Sequence, residues 1–123
     1  MRSRYAAFAL GLGAYLVKTL AATHPDRDLP HDELVRTLSR VKERQRFTGL
    51  RILDSASDER SGEVLFFARI FERGQDRSFV ELSDFTREAG AWRYASGILL
   101  PKTALPVDLD TLTRASFLDL ANR

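Results

Sequence analysis

Tyr5, Phe8, Ala9, Leu12, Tyr15, Leu16 and Leu20 recur at spacings of three and four, which predicts an amphipathic first helix with one apolar stripe. His24-Pro25 and Pro30 mark a loop after it. From His31 to Arg46 the helical period returns. Leu34, Val35, Leu38 and Val41 form a narrow stripe, and Asp32 and Glu33 suit a first turn.

Beyond Phe47 the period shortens to that of strands. Four are predicted: Phe47 to Ser55, Gly62 to Arg73, Arg77 to Arg87 and Ala91 to Leu100. The second is apolar on both faces. Val64, Phe66, Ala68 and Ile70 share one face, and Leu65, Phe67 and Phe71 share the other, so it reads as a central strand. The connections SDERSG, RGQD and EAGA are short and polar, which suits hairpins and antiparallel neighbours. Helices followed by a run of strands give an α+β domain. Pro101 and Pro106 interrupt the chain, and Asp108 or Asp110 is expected to cap a last short helix through Ala121. The face bearing Leu65, Phe67 and Phe71 needs a cover, from the remaining elements or a second copy. A homodimer packed sheet to sheet is the expectation.

The first 22 residues admit a second reading. Two arginines, a charge-free run from Ala6 to Val17 and small residues after it match the outline of a secretory signal. The run is too short to span a membrane. A signal's apolar region needs no helical stripe, whereas this segment has one.

Composition narrows the function classes. The chain has 123 residues, 44% hydrophobic and 29% charged, and no cysteine. Disulfides, thiolate catalysis and cysteine-based zinc sites are thereby excluded. His24 and His31 are the two histidines and lack the i, i+4 spacing of a helical metal pair, so no metal and no cofactor is expected. The net charge of +2 demands neither nucleic acid nor an anionic membrane. Residues 1–46 hold nine Lys/Arg against five Asp/Glu, and residues 47–123 hold ten against twelve. Arg36, Arg40 and Arg44 stand at i, i+4 and i+8 and would suit phosphates. Glu43 interrupts them and no aromatic is interleaved, so a solvated face is the expectation. No nucleophile elbow, P-loop or dinucleotide fingerprint is present.

The opening Met1-Arg2-Ser3-Arg4-Tyr5-Ala6-Ala7-Phe8 resembles the start of the YchJ-like domain. Tyr15-Leu16 with His24-Pro25, Thr48 to Ile52, Gly62 to Arg69, Glu81 to Phe85 and Gly90 to Tyr94 resemble its later motifs, in order. The resemblance covers roughly residues 1–98 of the chain. It implies a nuclear transport factor 2-like fold: a curved antiparallel sheet of about four strands, packed on a long first helix and a second helix, often with a pocket between. It also implies a largely unassigned molecular role, and it favours the folded helix over the signal, hence a retained N-terminus and a cytoplasmic location. Residues 1–123 are expected to form a single domain, with 101–123 as an extension outside the resemblance. The chain departs from the family in lacking flanking SEC-C motifs, in the spacing between Leu20 and His24, and in Leu82 and Asp84 where arginines are common.

Candidate ligand-binding residues follow from joining the strand faces to the helix stripe. Trp92 and Tyr94 are two apart and share a strand face. If that face is concave, they meet Tyr5, Phe8 and Leu12, beside Arg4 and Glu81. Arg4 has two readings, an anion site or a bridge to a sheet carboxylate such as Glu81. Glu81 lies between Phe79 and Ser83 on one face, and a carboxylate in an apolar site can serve as a proton-transfer base. The leading reading is a non-enzymatic small pocket or protein-interaction domain, with no catalytic residue and an unknown small ligand or protein partner. The alternatives are an enzyme using Glu81 and an RNA- or ribosome-associated domain.

Overall fold

The computed structural model describes residues 1–106 and 108–122. The first helical stripe forms two helices, α1 (Arg2–Leu10) and α2 (Gly13–Lys18). Gly11 ends α1 with φ 72°, a left-handed cap, and Gly11 and Leu12 donate their N–H groups back to Phe8 and Ala7. The expected continuous helix is therefore broken, because a left-handed residue cannot propagate a right-handed helix. The second stripe also divides, at Arg40, into α3 (His31–Ser39) and α4 (Val41–Arg44).

The sheet follows: β1 (Gln45–Ser57), β2 (Ser61–Glu72), the two-residue β3 (Gln75–Asp76), β4 (Phe79–Glu88) and β5 (Ala91–Pro101). It is antiparallel in the order β1-β2-β4-β5, with β3 paired to β2. β2 is central, as its two apolar faces require. Arg73-Gly74 and Ala89-Gly90 make two-residue turns with positive φ at both positions, the geometry of tight hairpins. Register shifts fall between Phe47 and Gly49, between Ile52 and Asp54 on β1, and between Asp84 and Phe85 opposite β5. Each bulge bends its strand and increases the local twist. The sheet therefore has a concave face, and α1 lies against it through Tyr5 and the cluster of Phe66, Ala68 and Ile70.

The opposite face carries Leu65, Val80 and Leu82, all buried, with Phe67 packed against them. It is covered by the chain's own C-terminal segment. Leu112 and the fully buried Phe117 of α5 (Arg114–Ala121) complete that cluster. The Leu65 and Phe67 part of the surface expected to need a second copy is thus covered from within the chain, while Phe71 lies outside that cluster. The helix cap also differs from expectation. Thr113 and Ser116 form a capping box at α5, while Asp108 caps a short 3₁₀ turn, Leu109–Thr111, instead.

The extension is tied down by charge as well. Arg114 donates its backbone N–H (3.0 Å) and its Nε (3.2 Å) to Asp54, and its Nη1 to Glu63 at 3.0 Å. The bonds to Asp54, led by the Arg114 backbone N–H, hold its carboxyl below its ordinary value. A depressed carboxylate contributes stability above the unfolded pKa and loses it as pH falls through the folded one. The docking of α5 should therefore weaken as pH drops below about 4. Denaturation of the parent and of Asp54→Asn checks this: their difference should be largest near neutrality and vanish in acid.

Candidate functional site

Between α1, the loop after α2, α3–α4 and the concave face lies a cavity of about 400 Å³. Phe8, Phe47, Phe66, Phe79 and Ile70 supply apolar wall, and Arg4, Tyr5, His24, Glu81 and Tyr94 supply polar groups. This size and this balance of walls fit a small-molecule site. Of the seven residues singled out in the sequence, Arg4, Tyr5, Phe8, Glu81 and Tyr94 are brought together here. Leu12 and Trp92 are not. Leu12 sits in the break between α1 and α2 and is half exposed. Trp92 does share the concave side with Tyr94, but farther along. It lines a separate depression of about 240 Å³ with Val64 and Phe85, and Arg87 stacks on its ring at 5.0 Å.

Tyr94 organises the floor. Its backbone joins the end of α2 to the edge of β5: its N–H donates to Thr19 and its carbonyl accepts from Ala21, both at 2.7 Å. Its hydroxyl donates to Glu81 Oε2 at 3.0 Å, and Ser83 Oγ donates to the same oxygen. Burial first, then the Glu81 charge, pushes the Tyr94 phenol above its ordinary value of 10.0, so it stays a donor. Arg4 stacks on this ring, its Cζ 4.8 Å from the centroid. Its Nη1 donates to the Leu16 carbonyl at 2.9 Å and to Thr19 Oγ1. The Arg4–Glu81 bridge entertained from the sequence does not form among the described residues, because Tyr94 takes the carboxylate instead.

Three contributors escaped the sequence reading. Phe47 faces the cavity and packs on Tyr5 (5.5 Å, edge to face) and Phe8 (6.2 Å, stacked). Simple alternation from Leu50 and Ile52 would turn it away, and the bulge beside Thr48 reverses the phase. His24 also reaches the cavity. Its Nδ1 accepts the Asp26 N–H at 3.1 Å, so the neutral ring carries its proton on Nε2, and the ring lies 5.7 Å from Tyr94. The third is Gly97. A Cβ there would stand 2.5 Å from both Glu81 Oε2 and the Tyr94 hydroxyl. The Glu81–Tyr94 pair thus occupies the space that Gly97 leaves. Gly97→Ala should lower stability by about 1–3 kcal/mol and part that pair. The neighbouring Ser96→Ala, whose hydroxyl touches only exposed Asp84, should stay within about 0.5 kcal/mol. Thermal denaturation of both variants decides it.

Among the described residues no group of three or more His, Asp or Glu could hold a metal ion, and no helix is long and apolar enough to cross a membrane. Residues 1–97 match the family described as the middle, NTF2-like domain of YchJ. A UPF0225 protein of Chromobacterium violaceum is 39% identical over 80% of this chain and 70% of its own length. One from Geobacter sulfurreducens is 33% identical over 79% of this chain and 59% of its own. The chain therefore spans between about three-fifths and seven-tenths of these curated relatives. Among solved structures, a SEC-C motif containing protein of Rhodopseudomonas palustris superposes with TM-score 0.67 at 35% identity, covering 80% of this chain and 73% of the other.

Proposed function

This chain belongs to the family of the YchJ middle NTF2-like domain, and from that premise we propose that its cavity holds a small, largely apolar molecule without transforming it. The observation that carries the reading is the polar floor kept at the end of an aromatic-walled space. Glu81, Tyr94 and Ser83 are bonded to one another, and Gly97 leaves them room. Buried polar groups are kept where they are satisfied and where they orient something. Glu81 Oε1 has no protein partner among the described residues and is free to accept from a ligand N–H or O–H. The non-enzymatic reading is supported by the chemistry of the floor. The one hydroxyl nucleophile set against the Glu81 carboxylate, Ser83, is fully buried and does not line the cavity, and Tyr94 is held there as a donor.

A metabolite panel screened by thermal denaturation tests this reading. The parent and Trp92→Ala should respond to the same compounds, since Trp92 lies outside the cavity. Tyr94→Phe should respond less, because the Glu81 side chain loses a donor that holds it. Trp92→Ala itself should fall well short of the roughly 3–5 kcal/mol of a filled core position. Turnover of a panel compound that disappears in Glu81→Gln would replace this reading with the enzymatic one.

A further inference from the structure

Arg4 is only 6% exposed, yet no carboxylate lies within ion-pair distance of it among the described residues. Its Nη1 is used twice, on Leu16 and Thr19, while Nε and Nη2 have no described protein partner. The nearest acid, Glu81, is bonded to Tyr94, whose ring is stacked on the guanidinium. A cation withdrawn from water is costly unless an anion meets it. Burial accordingly pulls the Arg4 pKa down, and the opposing pulls of Tyr94, Glu81 and Tyr15 do not offset it. Its place in the first turn of α1 adds to the cost, since the helix dipole there is positive. What the fold leaves unmatched is half of a rigid planar fork on a side chain that lines the cavity, and neither of its unpartnered nitrogens is itself sealed from solvent.

We propose that the cavity takes a carboxylic acid, its carboxylate received by Arg4 and its apolar body lying against Phe47, Phe66 and Phe79. This rests on the cavity being a ligand site and adds the charge and headgroup of the ligand. A planar carboxylate matches the guanidinium fork, with two parallel charge-assisted hydrogen bonds. A single negative charge suits the surroundings better than a phosphate. Glu81 acts on the same guanidinium, and its repulsion grows with the ligand's charge. The walls are aromatic rather than basic, so the remainder of the ligand is apolar.

Three probes with one body and different heads decide the matter: 3-phenylpropionate, 3-phenylpropan-1-ol and 3-phenylpropylamine. Each is titrated into the full chain at neutral pH while amide and aromatic NMR resonances are followed. The carboxylate should bind about tenfold or more tighter than the alcohol, with the amine weakest. Arg4→Gln should remove that preference, bringing the carboxylate's affinity down to the alcohol's. Arg4→Lys, which keeps the charge but not the fork, should lose most of it. The series on the parent protein decides the question even where a variant folds poorly. Equal or tighter binding of the alcohol or amine overturns the carboxylate assignment and leaves the cavity reading standing. No shift around Phe47, Phe66 and Phe79 from any of the three overturns both.

Discussion

Phe117→Ala should destabilise the protein by about 3–5 kcal/mol. Phe117 is fully buried and is the largest side chain that is. It reaches from α5 into the cluster of Leu65, Val80, Leu82 and Leu112 on the side of the sheet away from the cavity. Removing its ring leaves a void that the sheet cannot close, because those neighbours are fixed by strand pairing. The loss is a large part of the roughly 5–15 kcal/mol that holds a domain together. Undocking α5 would also bare the Leu65–Phe67 face, so the variant should self-associate more than the parent. Chemical denaturation with sedimentation checks both. A loss below about 1 kcal/mol would mean that the extension does not seal this face.

Gly13→Ala comes second and runs against local propensity. In an exposed helix, alanine is about 1 kcal/mol better than glycine. Here a Cβ would lie 2.1 Å from the Val35 carbonyl oxygen and 2.2 Å from Ser39 Oγ. Two of the three close atoms belong to the α3 backbone, so no rotamer change relieves the clash. The Gly13 N–H also donates to Ser39 Oγ at 3.0 Å, a bond that separation of the helices would break. We expect a net loss of about 2 kcal/mol or more. The denaturation midpoint of Gly13→Ala against the parent checks this. Gly11→Ala should also destabilise, through its φ of 72° and a Cβ that would lie 2.8 Å from the Ser39 carbonyl oxygen.

These two sites mark where sequence periodicity stops being informative. Alternation found every long strand and placed β2 at the centre, because burial on both faces leaves no polar phase. The apolar stripe from Tyr5 to Leu20 survives only as separate halves. Spacing records which residues are apolar and does not record that Gly11 turns left-handed, or that Gly13 touches another helix. Bulges hide the site in the same way. The register shift opposite β5 sets Tyr94 and Gly97, an odd number of residues apart, on one face. Period-two counting separates them. Arg4, Tyr5, Phe8, Glu81 and Tyr94 were legible because polar and aromatic residues stood at the right spacing on a motif with a resemblance behind it. His24 was legible only as the end of a loop, since loop residues carry no period. The cover of the outer face was hidden for a similar reason: residues 101–122 show no long periodic run, yet Leu112 and Phe117 suffice.

The arrangement divides the sheet's two faces between stability and recognition. Its outer face is packed around Leu65, Val80 and Leu82 by Leu112 and Phe117, and its inner face is left partly open beneath α1. On the reading proposed above, this inner space receives a small molecule. Intermolecular NOEs, measured on isotope-labelled protein with a library of small apolar fragments, report on that occupancy. Bound fragments should give NOEs to the Phe47 and Phe79 rings, the Ile70 methyls and the Tyr94 ring, weakened by Gly97→Ala. NOEs that converge on Trp92 instead, or a library that gives none at all, would contradict it.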